Sequence, residues 1–189
     1  MAYRVLIVGS AERSTDAVAI LESGGYAETT LASGRADTLR AAKETNPDVV
    51  LLDVGLEDDP LGLMKEILLE RPTAVVVNAS YSQVGAVKEA EEMGAAAHVF
   101  RPFTKEALIS AVELGASRFR QCQALHAEIG ECRETLRVRK LVERAKGILM
   151  KRNAISEEEA FISIQKLSRD NNLPMEKVAE SIITASKLM

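Results

Sequence analysis

The chain has no tryptophan, two cysteines and five prolines in 189 residues, and its aromatic content is only 4%. A core in such a chain has to be aliphatic, and an apolar content of 47% is ample for one. Cys122 and Cys132 form neither a CxxC motif nor a metal-ligand spacing. That excludes a zinc ribbon or a disulfide framework and suits a reducing, cytoplasmic setting. No apolar stretch reaches the roughly 18 residues that a membrane span needs. The opening MAYRVLIVGSAER has too short an apolar run for a signal peptide and lacks a cleavage pattern.

Net charge is −4 and the sequence pI about 5.4, which does not announce a nucleic-acid binder. The distribution does. Arg133, Arg137, Arg139, Lys140, Arg144, Lys146, Lys151 and Arg152 fall within 20 residues, opposed only by Glu134 and Glu143, so this window is +6 and the remainder −10. A local basic field on an acidic chain reads either as a polyanion-binding surface or as a solvated helix face.

Residues 1–105 alternate strand and helix signals. RVLIV at 4–8, DVVLLD at 48–53, AVVVN at 74–78 and AHVF at 97–100 are continuous apolar runs, and a weaker strand falls near 26–31. Runs without alternation imply burial on both faces, as in a parallel sheet between helical layers. Helical segments at 15–23, 36–45, 61–70 and 84–93 each end at glycine or before proline. Repeated βα units predict a doubly wound five-stranded parallel sheet. Functional groups in such sheets gather at the carboxyl ends of the strands, here Gly9, Ser10, Asp53, Asn78 and Arg101.

From Thr104 the pattern is purely helical. Arg118, Cys122, Leu125, Ile129, Cys132 and Leu136 are spaced 4, 3, 4, 3 and 4. From Cys122 onward this is a short coiled-coil seam, placing a linker helix over 119–140. The alternative is a helix packed on its own N-terminal domain; the dimer seam is preferred. Asn153 ends the long helix, and Ser156 with Glu159 forms a capping box. Ala160, Ile164 and Leu167 line one face of the helix that follows, with Phe161 and Ile162 flanking it; for Phe161 a core role is preferred and stacking on a base is the alternative. Asp170-Asn171-Asn172 stops that helix, and Pro174 opens a last one at its first position.

With these pieces assembled, residues 3–118 resemble a response-regulator receiver domain of flavodoxin-like fold. Asp53 matches the phosphoacceptor position. Asn78 and Arg101 fall where the family carries its Thr or Ser and its Lys, with a cis peptide implied before Pro102. The departures weigh more. Two acidic Mg²⁺ ligands are implied after the first strand, and Gly9-Ser10 stand there, with Glu12 displaced. A hard octahedral cation held by one carboxylate binds poorly. The expectation is a degenerate receiver with no cofactor, Mg²⁺ entering only if the receiver works. Asp58 or Asp59 as a substitute ligand is the alternative, with Asp53 phosphorylated by a sensor kinase. A further reading of Asp53 is a remnant satisfied by Arg101.

Residues 125–186, carrying VERAKGILM at 142–150, ISEEEAF at 155–161, LS at 167–168 and VA at 178–179, resemble the ANTAR domain of AmiR- and NasR-type regulators. The resemblance implies a non-enzymatic regulator that binds paired RNA stem-loops in nascent leader transcripts and favours antitermination, as a homodimer placing two modules on two loops. Lys146, Lys151, Arg152, Lys166, Ser168 and Arg169 are the RNA-contact candidates, and Cys122, Leu125, Ile129, Cys132 and Leu136 the dimer seam. Ala145 and Gly147 read as sites of close approach, either of a neighbouring helix, which is preferred, or of RNA backbone. A DNA-binding helix-turn-helix is disfavoured, because Lys177 and Lys187 in the last helix are opposed by Glu176 and Glu180. A protein-binding adaptor is the remaining rival, and it predicts no salt-dependent RNA affinity.

Overall fold

Val5–Val8 is apolar at every position and buried at every position. In a computed structural model, which describes residues 3–26, 28–56 and 59–186, it forms strand β1 near the middle of a parallel sheet. The others are β2 (Thr29–Ala32), β3 (Val49–Asp53), β4 (Ala74–Ser80) and β5 (Ala97–Arg101), in the order β2-β1-β3-β4-β5. Helices α1 (Ala11–Ser23), α2 (Arg35–Thr45), α3 (Pro60–Glu70) and α4 (Val84–Glu92) connect them, a 3₁₀ turn at Tyr81–Gln83 preceding α4.

Two cores follow from strand geometry, in which successive side chains point to opposite faces. Val5, Ile7, Val49, Leu51 and Val76 face α1 and the start of α5 (Lys105–Asn153), where Leu21, Leu108 and Val112 meet them. Leu6, Val8, Val50, Leu52, Val75 and Val77 face α2, α3 and α4, against Leu63, Met64, Ile67 and Val87. The expected doubly wound receiver fold is present. β2 begins later than the weak signal near Tyr26 suggests. Tyr26 is buried, and its hydroxyl donates to Glu113 Oε1 at 2.5 Å instead of its backbone joining the sheet.

The chain divides into two compact units, Met1–Gln123 and Ala124–Met189. The linker helix is not a separate element: α5 runs 49 residues without a break. In the second unit, α6 (Glu157–Asp170) and α7 (Met175–Ser186) close on the last turns of α5. Val142, Ala145, Ile164, Val178, Ala179 and Ile183 make this small core. The capping box forms as expected, Ser156 Oγ accepting from Glu159 N and the Glu159 carboxylate accepting from Ser156 N.

Three details differ from the sequence reading. Pro174 caps α7 from outside, its carbonyl accepting from Lys177 N and Val178 N. Phe161 lies at the surface, 38% exposed, because Ala160 and Ile164 fill the core and the next position points about 100° away. Leu167 is likewise 41% exposed.

Candidate phosphoacceptor cleft and basic helix surface

Asp53 ends β3, and its carboxylate is almost wholly buried, 3% exposed. Arg101, at the end of β5, donates from Nη1 to Asp53 Oδ2 at 2.7 Å and from Nη2 to Oδ1 at 3.0 Å. Gly55 N donates to the same Oδ1 at 2.7 Å. Arg13, in the first turn of α1, brings Nη1 to 3.9 Å from Oδ2 while donating to Gly55 O at 2.8 Å. A buried carboxylate needs such partners, and a forked guanidinium supplies two at once. Asn78 pairs with Asp53 across β3 and β4, and its buried Oδ1 has no hydrogen-bond partner among the described residues. Arg101–Pro102 is cis, as the resemblance implies.

Ser10, Glu12, Arg13, Arg35, Asp53 and Gly55 are among the residues around an open cleft of about 380 Å³ beside this carboxylate. The donor set does not fit a Mg²⁺ ion. Both Asp53 oxygens accept from Arg101, two positions after β1 are Gly9 and Ser10, and a guanidinium occupies the side where acidic ligands are needed. No group of three or more His, Cys, Asp or Glu placed to hold a metal occurs among the described residues. Of the two substitute ligands, Asp58 lies outside the described residues. Asp59 is committed elsewhere: it caps α3, accepting from Gly62 N at 3.0 Å.

In the second unit the structure sorts the basic cluster. Lys146 is 7% exposed, its ammonium 2.7 Å from Glu143 and 2.7 Å from Glu157, and 5.9 Å from the centre of the Phe161 ring. The hydrogen bonds it donates to Glu143 and Glu157 hold its pKa above the usual lysine value, and Glu157 is held below the usual glutamate value in return. Lys146 therefore ties α5 to the start of α6 and is withdrawn from the set of open charges. Arg137 is likewise held by Glu134, Glu176 and Glu180. Ser168 donates to Leu173 O at 2.6 Å and accepts Leu173 N on its carbonyl, which closes the α6–α7 turn.

Lys151, Arg152, Lys166 and Arg169 are exposed. So are Arg133, Lys140 and Arg144, which belong to the basic window but not to the RNA-contact candidates chosen from the sequence. Their spacing singles them out: Arg133, Lys140, Arg144 and Lys151 follow at intervals of 7, 4 and 7. At 100° per residue they lie within about 40° of one another, on a stripe about 27 Å long. None of the four makes an ion pair with another described residue, and no acidic residue interrupts the stripe. The buried Val142 and Ala145 sit about 120–180° around the helix from it. Gly147 lies on the same stripe, and a Cβ there would have no atom within 4 Å. It is not a helix-packing glycine; Ala145, fully buried, is the residue that allows close packing.

The family model of the response regulator receiver domain matches residues 5–113, and that of the ANTAR domain matches residues 131–183. This chain is a response regulator of the ANTAR class. Transcriptional regulatory protein PdtaR of Mycobacterium tuberculosis is 36% identical over 169 residues, 89% of this chain and 82% of that protein. Nitrate regulatory protein of Klebsiella oxytoca is 31% identical over 68 residues, 36% of this chain and 17% of that one. Among solved structures, the receiver domain of NtrX from Brucella abortus superposes with a TM-score of 0.55 at 29% identity, covering 60% of this chain and 98% of that domain. In this response regulator no described helix is long and apolar enough to cross a membrane.

Proposed function

We propose that this response regulator controls transcription by binding RNA stem-loops through its ANTAR module, as a dimer, in the manner of antitermination factors. The observation that carries the reading is the exposed stripe Lys140, Arg144 and Lys151, without an ion pair among the described residues, on an ANTAR module within an otherwise acidic chain. RNA loops offer splayed bases and accessible phosphates, whereas the deep groove of an RNA duplex is closed to side chains. Lys151 ends the stripe, Arg152 lies beside it at the end of α5, and Lys166 and Arg169 add charge on α6. Lys146 and Ser168 act in this reading as internal fasteners.

The receiver acts as a degenerate platform. The fork from Arg101 engages the Asp53 oxygen that a phosphoryl transfer requires, and the metal ligands are absent from their positions. Control then comes from a binding partner or from assembly, in the cytoplasm, without a resident cofactor and without catalysis.

The decisive experiment measures affinity of the full chain for an RNA with two stem-loops, for one loop, and for duplex DNA, across a salt series. Log affinity should fall with log salt by roughly 0.7 per neutralised phosphate on single strands. Equal affinity for DNA, or none for the two-loop RNA at low salt, overturns the proposal.

A further inference from the structure

Every residue of α5 from 120 to 137 is exposed, including Leu125 at 58%, Ile129 at 45% and Leu136 at 50%. A solitary helix of this length is marginal in water, so a row of apolar side chains on one face calls for a second helix. Cys122, Leu125, Ile129, Cys132 and Leu136 form that row at intervals of 3, 4, 3 and 4, and it contains both cysteines of the chain.

We infer that a second copy of this chain covers the row in parallel register, and that a peroxide oxidant joins the two copies through Cys122–Cys122 and Cys132–Cys132 disulfides. The inference rests on the dimer reading above and adds to it a covalent, oxidant-dependent state.

Flanking charge selects the occupant. With Cys122, Ile129 and Leu136 at a positions and Leu125 and Cys132 at d, a parallel pair sets each g residue beside the following e residue of its partner. Glu128 then faces Arg133, Gln121 faces His126, and Thr135 faces Lys140. That is one attractive ion pair and no like-charged one. Arg133 makes no ion pair within its own chain among the described residues. An antiparallel pair sets e against e and g against g, so Glu128 meets Gln121 and loses its cation, while Arg133 meets His126.

Packed helices lie roughly 8–10 Å apart, and Cα atoms sit at a radius of about 2.3 Å, which leaves about 3.4–5.4 Å between seam Cα atoms that face each other directly. Disulfides span Cα separations of roughly 4.4–6.8 Å. The chemistry balances. One thiolate attacks the peroxide oxygen, giving a sulfenic acid and water from hydrogen peroxide. The thiolate of the other copy then attacks that sulfur and expels a second water. Two thiols are oxidised to one disulfide and one peroxide is reduced to two waters. In-register pairing supplies the second thiol at high effective concentration.

The test treats the full chain with hydrogen peroxide and follows it by non-reducing electrophoresis, intact mass and peptide mapping. The expected product is a covalent dimer lighter by two hydrogens per bridge, with each disulfide joining identical peptides. Cys122→Ser and Cys132→Ser should each still crosslink, and the double variant should not. A mixed Cys122–Cys132 bridge that either single substitution abolishes shows an antiparallel pair and overturns the inference. Sulfinic acid accumulating on uncrosslinked chain overturns it as well. Sedimentation of the reduced double-serine variant separates the two levels. A dimer there with no wild-type crosslink sinks only the disulfide; a monomer with no crosslink sinks the dimer reading too.

Discussion

Arg101 grips Asp53 with both terminal guanidinium nitrogens, at 2.7 and 3.0 Å, across the carboxyl ends of β5 and β3. The pair lies beside the open cleft at the carboxyl ends of the strands, and the guanidinium engages both carboxylate oxygens. A lysine there is a point charge on a flexible stem, while the planar fork of arginine binds both carboxylate oxygens together. Incubation with a small phosphodonor and Mg²⁺ should therefore leave the intact mass unchanged, and Asp53→Asn should leave RNA affinity unchanged. A stoichiometric adduct that disappears in Asp53→Asn would show a working receiver.

The same pair predicts a stability effect. Arg101→Ala strands a carboxylate that is 3% exposed, with only Gly55 N and the more distant Arg13 left to it. The expected cost is about 2–3 kcal/mol, at the low end for breaking a buried pair because those two partners remain. Urea denaturation followed by near-ultraviolet circular dichroism reads this unit specifically, since Tyr3, Tyr26 and Tyr81 all belong to it. An unchanged midpoint would mean that the carboxylate is already satisfied without Arg101.

For RNA, the exposed stripe and the buried lysine should part company. Arg144→Glu or Lys140→Glu should weaken binding about tenfold near physiological salt and flatten the salt slope by about 0.7 for each phosphate no longer neutralised. Lys146→Gln should change affinity less than about twofold once folding is controlled for, since a paired, buried ammonium has little to offer a phosphate. Equal losses at Lys146 and Arg144 would contradict the division of labour drawn from the ion pairs.

The sheet, both helical layers and the capping box at Ser156 were legible in the sequence because each depends on local pattern: apolar runs, turn residues and a Ser-to-Glu interval. Asp53, Asn78 and Arg101 could be placed together because all lie at or just before the ends of strands. What escaped depends on partners distant in sequence or on direction around a helix. That Lys146 pairs with Glu157, eleven residues on and across a turn, is not visible in the sequence. Arg13 enters the Asp53 cleft only because α1 starts directly after the Gly9-Ser10 turn. Phe161 reads as core by hydropathy, yet its neighbours Ala160 and Ile164 own the inward direction.

Acid should loosen the second unit in a way that Lys146 controls. Glu157 is held below the usual glutamate value by Lys146, and Glu159 by the Ser156 backbone amide. A carboxylate with a depressed folded pKa adds stability above its unfolded value, about 4.5, and loses that contribution as pH falls through the folded value. Calorimetric melting temperature should thus decline below about pH 4.5. The decline should be smaller in Lys146→Gln, where Glu157 has already returned toward its ordinary value. A decline of equal size in both proteins would assign the acid response to other carboxylates.

Gly147 poses the sharpest opposition between stability and binding. It sits inside α5, where glycine costs up to about 1 kcal/mol relative to alanine, and a Cβ at this position would meet no atom within 4 Å. Packing within the chain gives no reason to retain it. Its position does, because it lies between Arg144 and Lys151 on the basic stripe and leaves bare backbone where a nucleic-acid strand would pass. Gly147→Ala should therefore raise the melting temperature while lowering affinity for the two-loop RNA. A more stable variant that binds RNA as tightly as the parent would remove the strand from this face and confine RNA contact to Arg152, Lys166 and Arg169.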